Sequence, residues 1–157
     1  MRGSDFTPSR DADSIVPAGR IPAEGQTLLR VRYCECDPMG VAHHAAYAPW
    51  LEIGRTELLR AGGVRYAEME QAGVFLVITK LQVQYRAPAR YDDELAIMTR
   101  VAGGSRVRID HAYEVWRHEA EGRGRVALLA EAATTLACVD ASGRPRALPE
   151  WLAAGGG

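Results

Sequence analysis

A single helical segment interrupts a chain that is otherwise rich in β-forming runs, and this feature limits the folds open to the sequence. The segment covers about residues 46–61, because Pro49 fits only its first turn and Gly62-Gly63 is a strong stop signal. Two apolar residues, Trp50 and Ile53, lie off its main apolar stripe, which carries Tyr47, Leu51, Gly54, Leu58 and Ala61. A helix that is apolar on more than one side needs partners around it, so we predict that other elements wrap it.

Five β-rich runs supply those partners, one before the helix and four after it. They cover residues 26–36, 74–85, 94–102, 105–118 and 125–140. Two of the connections between the last four are short, which favours an antiparallel meander. The remaining segments are a short helical or irregular link and a final half-turn, at residues 64–73 and 149–152.

This order of elements predicts an α+β domain over residues 26–153, in which a curved antiparallel five-stranded sheet surrounds a central helix. Residues 1–25 mix Ser, Asp, Arg, Pro and Gly without periodicity, and we expect them to form a mobile tail. One helix covers only one face of such a sheet and its outer strands have free edges. Edge pairing in a homodimer is the expected remedy.

Composition narrows the classes of partner and compartment. The net charge of −1 gives no reason to expect nucleic acid or an anionic membrane as a partner. Three cysteines without short paired spacing argue for a reducing compartment, and we interpret Cys34 and Cys36 as small core residues. No apolar run is long enough for a membrane span and the N-terminus lacks a signal-peptide core, so we expect a cytoplasmic protein.

Candidate catalytic residues lie in the turn before the helix, at Asp37-Pro38-Met39-Gly40. His43 and His44 lie next to the helix start. The N–H groups at a helix start have no intrahelical partner, and the helix dipole favours negative charge there. An acid held beside them is well placed to attack or hydrate a polarised carbonyl. The alternative is a purely structural role, in which Asp37 forms the turn and the histidines are solvated or cap the helix.

The sequence at this point resembles the hotdog-fold acyl-CoA thioesterases of the hydroxybenzoyl-CoA thioesterase type. The resemblance covers about residues 27–149 and keeps the element order of that family. It rests on residues 84–93, QYRAPARYDD, and on an opening motif of Tyr33, Glu35, Asp37, Gly40, Val41, His44, Tyr47, Glu52 and Arg55.

The resemblance implies roles for individual residues. Asp37 matches the catalytic carboxylate, as nucleophile or as general base for a water. His44 falls where the family's backbone N–H binds the thioester oxygen, and one branch also has an assisting histidine there. Tyr47 is expected to shape the acyl pocket, beside Gly40 and Val41. The family's site lies between two subunits, so residues 78–81 of the partner would complete it.

Other residues receive weaker assignments. Either Arg86 and Arg90 or Ser105 and Arg106 are candidates to meet the phosphates of coenzyme A, and the alternative is that these arginines are solvated residues on turns. His43 is expected to be structural. Glu52 and Arg55, three residues apart, are expected to form a surface or interface ion pair, with Glu52 a minor candidate for a second carboxylate.

We therefore expect a homo-oligomeric acyl-CoA thioesterase, a dimer or a dimer of dimers, that needs no cofactor and no metal ion. An acyl-carrier-protein thioesterase is the close alternative. A non-catalytic acyl-CoA binding module is the alternative from another class. A hotdog dehydratase is disfavoured, because its histidine-and-acid motif is not found in the sequence.

Overall fold

A computed structural model describes residues 12–119 and 121–153. Its strands are β1 (Glu24–Arg30), β2 (Phe75–Tyr85), β3 (Glu94–Ser105), β4 (Arg108–Glu119) and β5 (Gly124–Val139). Its α-helices are α1 (Tyr47–Ala61), α2 (Tyr66–Gln71) and α3 (Glu150–Ala153). Single turns of 3-10 helix occur at Ala12–Ser14, Tyr33–Glu35 and His44–Ala46.

The five strands form one antiparallel sheet in the order β1-β3-β4-β5-β2. The predicted meander is present in β3, β4 and β5, where Thr99 is paired with Tyr113 and His111 with Thr134. Strand β2 does not join β3. It pairs with β5 instead, which places β1 and β2 at the two edges of the sheet. Together with the long helix on one face, this arrangement confirms the predicted hotdog fold.

Helix α1 packs against β1 and β3 and begins one residue from its predicted start. Trp50 and Leu51 are almost fully buried. Ile53 is 40% exposed, so within one chain the helix is not covered on every side as the sequence predicted. One flank of α1 therefore remains open to solvent.

The apolar core is divided into two clusters by a belt of polar side chains. One cluster contains Ile109 and Leu136, and the other contains Ile97 and Ala130. Between these positions along the strands lie three buried polar residues, Thr99, His111 and Thr134. A buried polar belt is costly unless its groups find partners, which makes this region sensitive to protonation and substitution.

Two predictions about the start of the domain need correction. The first strand ends at Arg30, well before the predicted end at Cys36, and Tyr33–Glu35 forms a helical turn. A local bond causes this, because the Glu35 carboxylate accepts the Arg32 amide at 2.8 Å. Cys34 is consequently exposed rather than part of the core.

The predicted mobile tail is packed against the domain from residue 12 onward. Ile15 and Ile21 are buried in the same cluster as Leu152 of α3. The first eleven residues of the predicted tail lie outside the described residues. In the described ranges, 12–119 and 121–153, no helix is long and apolar enough to cross a membrane.

Candidate active site

Asp37 lies in a tight hairpin between the helical turn Tyr33–Glu35 and the start of the long helix. A bridge between Cys36 and Ala42 closes the hairpin, and the Asp37 amide donates to the Val41 carbonyl at 2.9 Å. Gly40 has a φ of +75°, which a glycine adopts without strain. The hairpin therefore fixes the backbone of the acid on both sides.

The Asp37 carboxylate is half-buried and only partly engaged. Its Oδ1 accepts the Met39 amide at 2.9 Å, which is the turn-forming contact expected of an aspartate. Its Oδ2 accepts no hydrogen bond from any side chain or amide in the described ranges. One carboxylate oxygen is thus held in place while the other keeps its lone pairs for a ligand.

The helix start beside this hairpin presents an amide, that of His44, without an acceptor in the described part of the chain. The ring Nδ1 of His43 accepts the Ala45 amide at 3.1 Å, and the His43 carbonyl accepts the Ala46 amide at 2.9 Å. The prediction of a structural role for His43 is confirmed, because its side chain caps the helix. The amide of His44, the first residue of the turn, has no acceptor among the described residues.

A cleft of about 340 Å³ opens at this helix start. Its walls include Val41, His44, Tyr47, Tyr85 and Arg86. Tyr47 is buried and meets Tyr85 edge to face, with ring centroids 4.9 Å apart. Burial, followed by the nearby Tyr85, raises the pKa of Tyr47, so its hydroxyl stays neutral at physiological pH. The cleft thus has an aromatic wall facing a polar helix start.

Not every predicted site residue lines this cleft. Val41, His44, Tyr47 and Arg86 do, whereas Asp37, Gly40 and Arg90 are absent from its walls in the described chain. Arg90 is nevertheless joined to the hairpin, because its backbone forms a bridge with Val41. The acid-bearing hairpin and the cleft are therefore adjacent through shared residues.

The two candidate sets for phosphates lie far apart. Arg86 and Arg90 lie in the loop before β3, whereas Ser105 is the last residue of β3 and Arg106 follows it. A strand of this length spans roughly 35 Å, so the two sets occupy opposite ends of the sheet. The Arg86 guanidinium already contacts Glu131 at 2.6 Å, whereas Arg90 and Arg106 form no ion pair with a described residue.

Ser105 and Arg106 line a separate cleft of about 250 Å³ with Arg108 and Leu148. The Ser105 hydroxyl accepts the Val107 amide at 3.4 Å, which stabilises the turn between β3 and β4. The structure therefore brings Ser105 and Arg106 together with each other but not with Asp37.

Sequence reasoning missed the contacts of Glu35, which it named only as a motif residue. Both of its carboxylate oxygens are occupied, by the Arg32 amide, the Arg32 guanidinium and the Trp50 indole. Burial by itself would raise the pKa of Glu35, but these hydrogen bonds outweigh it and lower the pKa below its usual value. Its position two residues before Asp37 was the one available signal.

The pair of Glu52 and Arg55 is present at 3.2 Å, but its two members differ in exposure. The Glu52 side chain is 64% exposed and that of Arg55 only 10%, so Arg55 lies inside the domain rather than on the surface. Beneath it, His111 is buried, and burial followed by the charge of Arg55 lowers the pKa of His111 to about 4. Sequence spacing gave no signal for this buried contact.

The edge strand β2 carries an exposed apolar surface. Val77, Ile78, Leu81 and Tyr85 are each between 42% and 50% exposed in the single chain. The middle of β2 contains residues 78–81, the segment that the resemblance assigned to the partner's side of the site. An unpaired apolar edge of this kind favours association with another strand.

Comparisons with known proteins find similar sequences along most of the chain. Residues 31–155 match the model of the thioesterase-like superfamily. The chain is 34% identical over 127 residues to the acyl-CoA thioester hydrolase YbgC of Escherichia coli, which covers 80% of this chain and 90% of that protein.

Solved structures share the architecture. The DHNA-CoA thioesterase of Staphylococcus aureus is 31% identical, with a TM-score of 0.73 over 80% of each chain. The 4-hydroxybenzoyl-CoA thioesterase in complex with 4-hydroxybenzoyl-CoA is 22% identical and shares the fold, with a TM-score of 0.71 over 83% of this chain and 96% of that one.

Proposed function

The chain belongs to the thioesterase-like superfamily, and on that premise we propose that it hydrolyses acyl-CoA thioesters to a free carboxylic acid and coenzyme A. The resemblance to hotdog-fold acyl-CoA thioesterases is confirmed, and the enzyme is of the thioester hydrolase class. One observation carries the proposed site: among the described residues, neither Asp37 Oδ2 nor the His44 amide has a hydrogen-bond partner, and the hairpin of Asp37 leads directly into the helix start that carries this amide.

Asp37 supplies the attack on the thioester by one of two routes. As a general base it takes a proton from water, whose oxygen bonds to the acyl carbon. As a nucleophile its own oxygen bonds to that carbon and forms an anhydride that water then cleaves. In both routes the C–S bond breaks, the sulfur of coenzyme A leaves as a thiolate and takes up a proton, and the acyl group leaves as a carboxylic acid.

The His44 amide stabilises the negative charge that develops on the thioester oxygen. It is the free N–H at the start of the helical turn that continues into α1, where the helix dipole adds to its effect. A single donor of this kind is worth roughly a hundred- to a thousandfold in rate. The exposed imidazole of His44 is available to assist the departing thiolate, and Tyr47 and Tyr85 form the wall against which the acyl group packs.

A second copy of the chain completes the site. Strand β2 offers its apolar edge for pairing, and residues 78–81 of one copy would then lie beside the helix start of the other. The support is the exposure of Ile78 and Leu81 on an edge strand and the open flank of α1. A dimer of dimers is compatible with the same pairing. The cytoplasmic location stays a prediction.

Coenzyme A would place its phosphates on arginines beyond the cleft. The Arg90 guanidinium forms no ion pair with a described residue, and the backbone of Arg90 is bridged to the Asp37 hairpin, which favours Arg86 and Arg90 as the phosphate contacts in the same subunit. Ser105 and Arg106 lie at the opposite end of the sheet from Arg86 and Arg90, so they would meet the phosphates of a molecule bound to a neighbouring subunit.

A thiol-release assay over a panel of acyl-CoAs and acyl-carrier-protein thioesters tests the function. We expect turnover of acyl-CoAs, with activity lost in Asp37→Asn. The matched control is Asp140→Asn, because Asp140 forms the same kind of turn, accepting the Ser142 amide at 2.8 Å outside the site. Turnover of carrier-protein thioesters alone would favour the close alternative, and tight acyl-CoA binding without turnover would favour a binding module.

A further inference from the structure

The carboxylate of Glu35 joins the hairpin of Asp37 to helix α1, and we infer that Glu35 is a positioning residue for the catalytic acid. The inference rests on the proposed role of Asp37. Glu35 is not among the described residues that line the cleft, so it acts through the hairpin and the helix rather than on substrate.

Glu35 contacts all three segments of the chain that meet at the site: the incoming chain, the outgoing chain and α1. Its carboxylate accepts the Arg32 amide at 2.8 Å on the incoming chain and the Trp50 indole N–H at 3.0 Å on α1. Its backbone carbonyl accepts the His43 amide at 2.7 Å on the outgoing chain. Asp37 follows Glu35 by two residues, and His44, whose backbone amide has no acceptor among the described residues, follows directly after His43.

The contact with Trp50 is the one that reaches the body of the helix. Trp50 is 1% exposed and belongs to the first turn of α1, three residues after Tyr47. The Arg32 guanidinium also contacts Glu35, at 2.9 Å, but its side chain is 69% exposed and water competes for that contact. The indole bond is the shielded one, so it sets the distance between the hairpin and the helix.

Besides the backbone bond from the His43 amide to the Glu35 carbonyl, two further attachments of the hairpin lead to the loop before β3. The Ala42 amide donates to the Ala89 carbonyl at 2.8 Å, and Val41 bridges Arg90. These bonds hold the hairpin to the loop before β3 and not to α1. Loss of the bond between Glu35 and Trp50 would therefore leave the hairpin folded but loosen its register with the helix start. A displacement of about 1 Å at a reacting group costs up to about a hundredfold in rate.

Two substitutions and a matched control test the inference. Trp50→Phe removes the indole donor and keeps an aromatic ring, and Glu35→Ala removes the acceptor. The control is Trp116→Phe, because Trp116 donates a comparable 2.7 Å bond to Glu114 on β4, away from the site. We expect Trp50→Phe to lower kcat about ten- to a hundredfold with KM changed less than about threefold, and Trp116→Phe to change neither.

The hydrogen bond between Glu35 and Trp50 also predicts that the effects of the two substitutions on kcat are not additive. If both variants act through one bond, the double variant will lose no more kcat than Glu35→Ala alone. A merely structural role would instead lower the thermal stability of Trp50→Phe while leaving its kcat per folded enzyme unchanged, which would overturn the inference.

Amide hydrogen exchange gives a second reading that needs no turnover. We expect the amides of residues 37–44 to exchange faster in Trp50→Phe and Glu35→Ala than in the wild-type protein or in Trp116→Phe. Unchanged exchange in both site variants would contradict the inference even if the protein hydrolyses thioesters. Failure of the wild type to hydrolyse any thioester would contradict the proposed function, and the exchange result would still decide whether Glu35 holds the hairpin.

Discussion

Gly54 of α1 lies directly over Thr99 of β3. A Cβ atom at position 54 would fall 2.3 Å from Thr99 Oγ1 and 3.0 Å from Ile97 Cγ2. The first contact is shorter than real Cβ atoms make and the second is tighter than most, so the absence of a side chain at Gly54 is what allows the helix to approach the sheet. The distance between α1 and β3 in turn sets where the helix start lies at the edge of the sheet.

We expect Gly54→Ala to destabilise the protein despite the better helix propensity of alanine. Overpacking of a core typically costs about 1–3 kcal/mol, which exceeds the roughly 1 kcal/mol gained from propensity. Urea unfolding will measure the difference. Gly19→Ala is the control, because nothing lies within 4 Å of its added methyl group. Equal stability of Gly54→Ala and the wild type would contradict the close approach.

Protonation of His111 makes stability depend on pH. The folded protein holds the pKa of His111 at about 4, through burial and then the charge of Arg55, with Asp110 opposing. The unfolded value is about 6.5, so between these values the unfolded chain binds a proton that the folded chain does not. The free energy of unfolding therefore falls as the pH is lowered from 6.5 to 4, by about 3 kcal/mol.

The pH dependence of the wild type minus that of His111→Leu isolates this contribution, since other titrating groups are common to both proteins. Chemical denaturation at intervals between pH 4 and pH 7.5 is the measurement. Parallel curves for the two proteins over this range would show that His111 is not held neutral in the fold.

His43 and His44 are expected to differ in what they stabilise. His43→Ala removes the cap on the Ala45 amide and should lower stability by about 0.5–2 kcal/mol, whereas His43→Asn keeps a capping acceptor and should lose less. His44→Ala should change stability little, because its ring makes no hydrogen bond with a described residue, and should lower kcat instead. Denaturation and thiol-release assays on the three variants measure both effects. A larger stability loss in His44→Ala would reverse the assignment.

Disruption of the β2 edge should separate the subunits and abolish activity together. Ile78→Arg places a charge on the exposed apolar surface of β2, where pairing with a second copy would bury it unpaired. Light scattering coupled to size exclusion will measure the mass. The control is Val126→Arg, at a residue of similar exposure on β5 that lies outside the segment paired with β2. A fully active monomer of Ile78→Arg would contradict a site shared between subunits.

The sequence predicted those secondary-structure elements whose ends are marked by proline, glycine or turn residues. Pro49 and Gly62-Gly63 fixed the ends of α1 to within one residue. Alternation placed the first strand, and β-rich runs between turn clusters placed the other four. It did not predict the pairing of β2 with β5, because strand order depends on contacts distant in the chain. It also extended the first strand too far, because the Glu35 carboxylate bends the chain by a side-chain bond that periodicity does not encode.

The sequence predicted the backbone turns of the candidate site, because proline and glycine mark them. It did not predict which partners the side chains would contact. The hairpin of Asp37 followed from Pro38 and Gly40, and the helix start followed from Pro49. Arg55 was expected on a surface because its spacing from Glu52 allows an ion pair there, yet most of its length is buried. Spacing along a helix fixes which residues are neighbours but not which face the sheet covers.

The most direct measurement is a structure with an acyl-CoA analogue in which a methylene replaces the thioester sulfur and the carbonyl is kept. We expect the carbonyl oxygen to lie about 3 Å from the His44 amide, and the Asp37 carboxylate to lie about 3–3.5 Å from the carbonyl carbon or from a water beside it. A carbonyl group bound away from both Asp37 and the His44 amide, for example in the cleft of Ser105 and Arg106, would contradict their convergence on one acyl carbon.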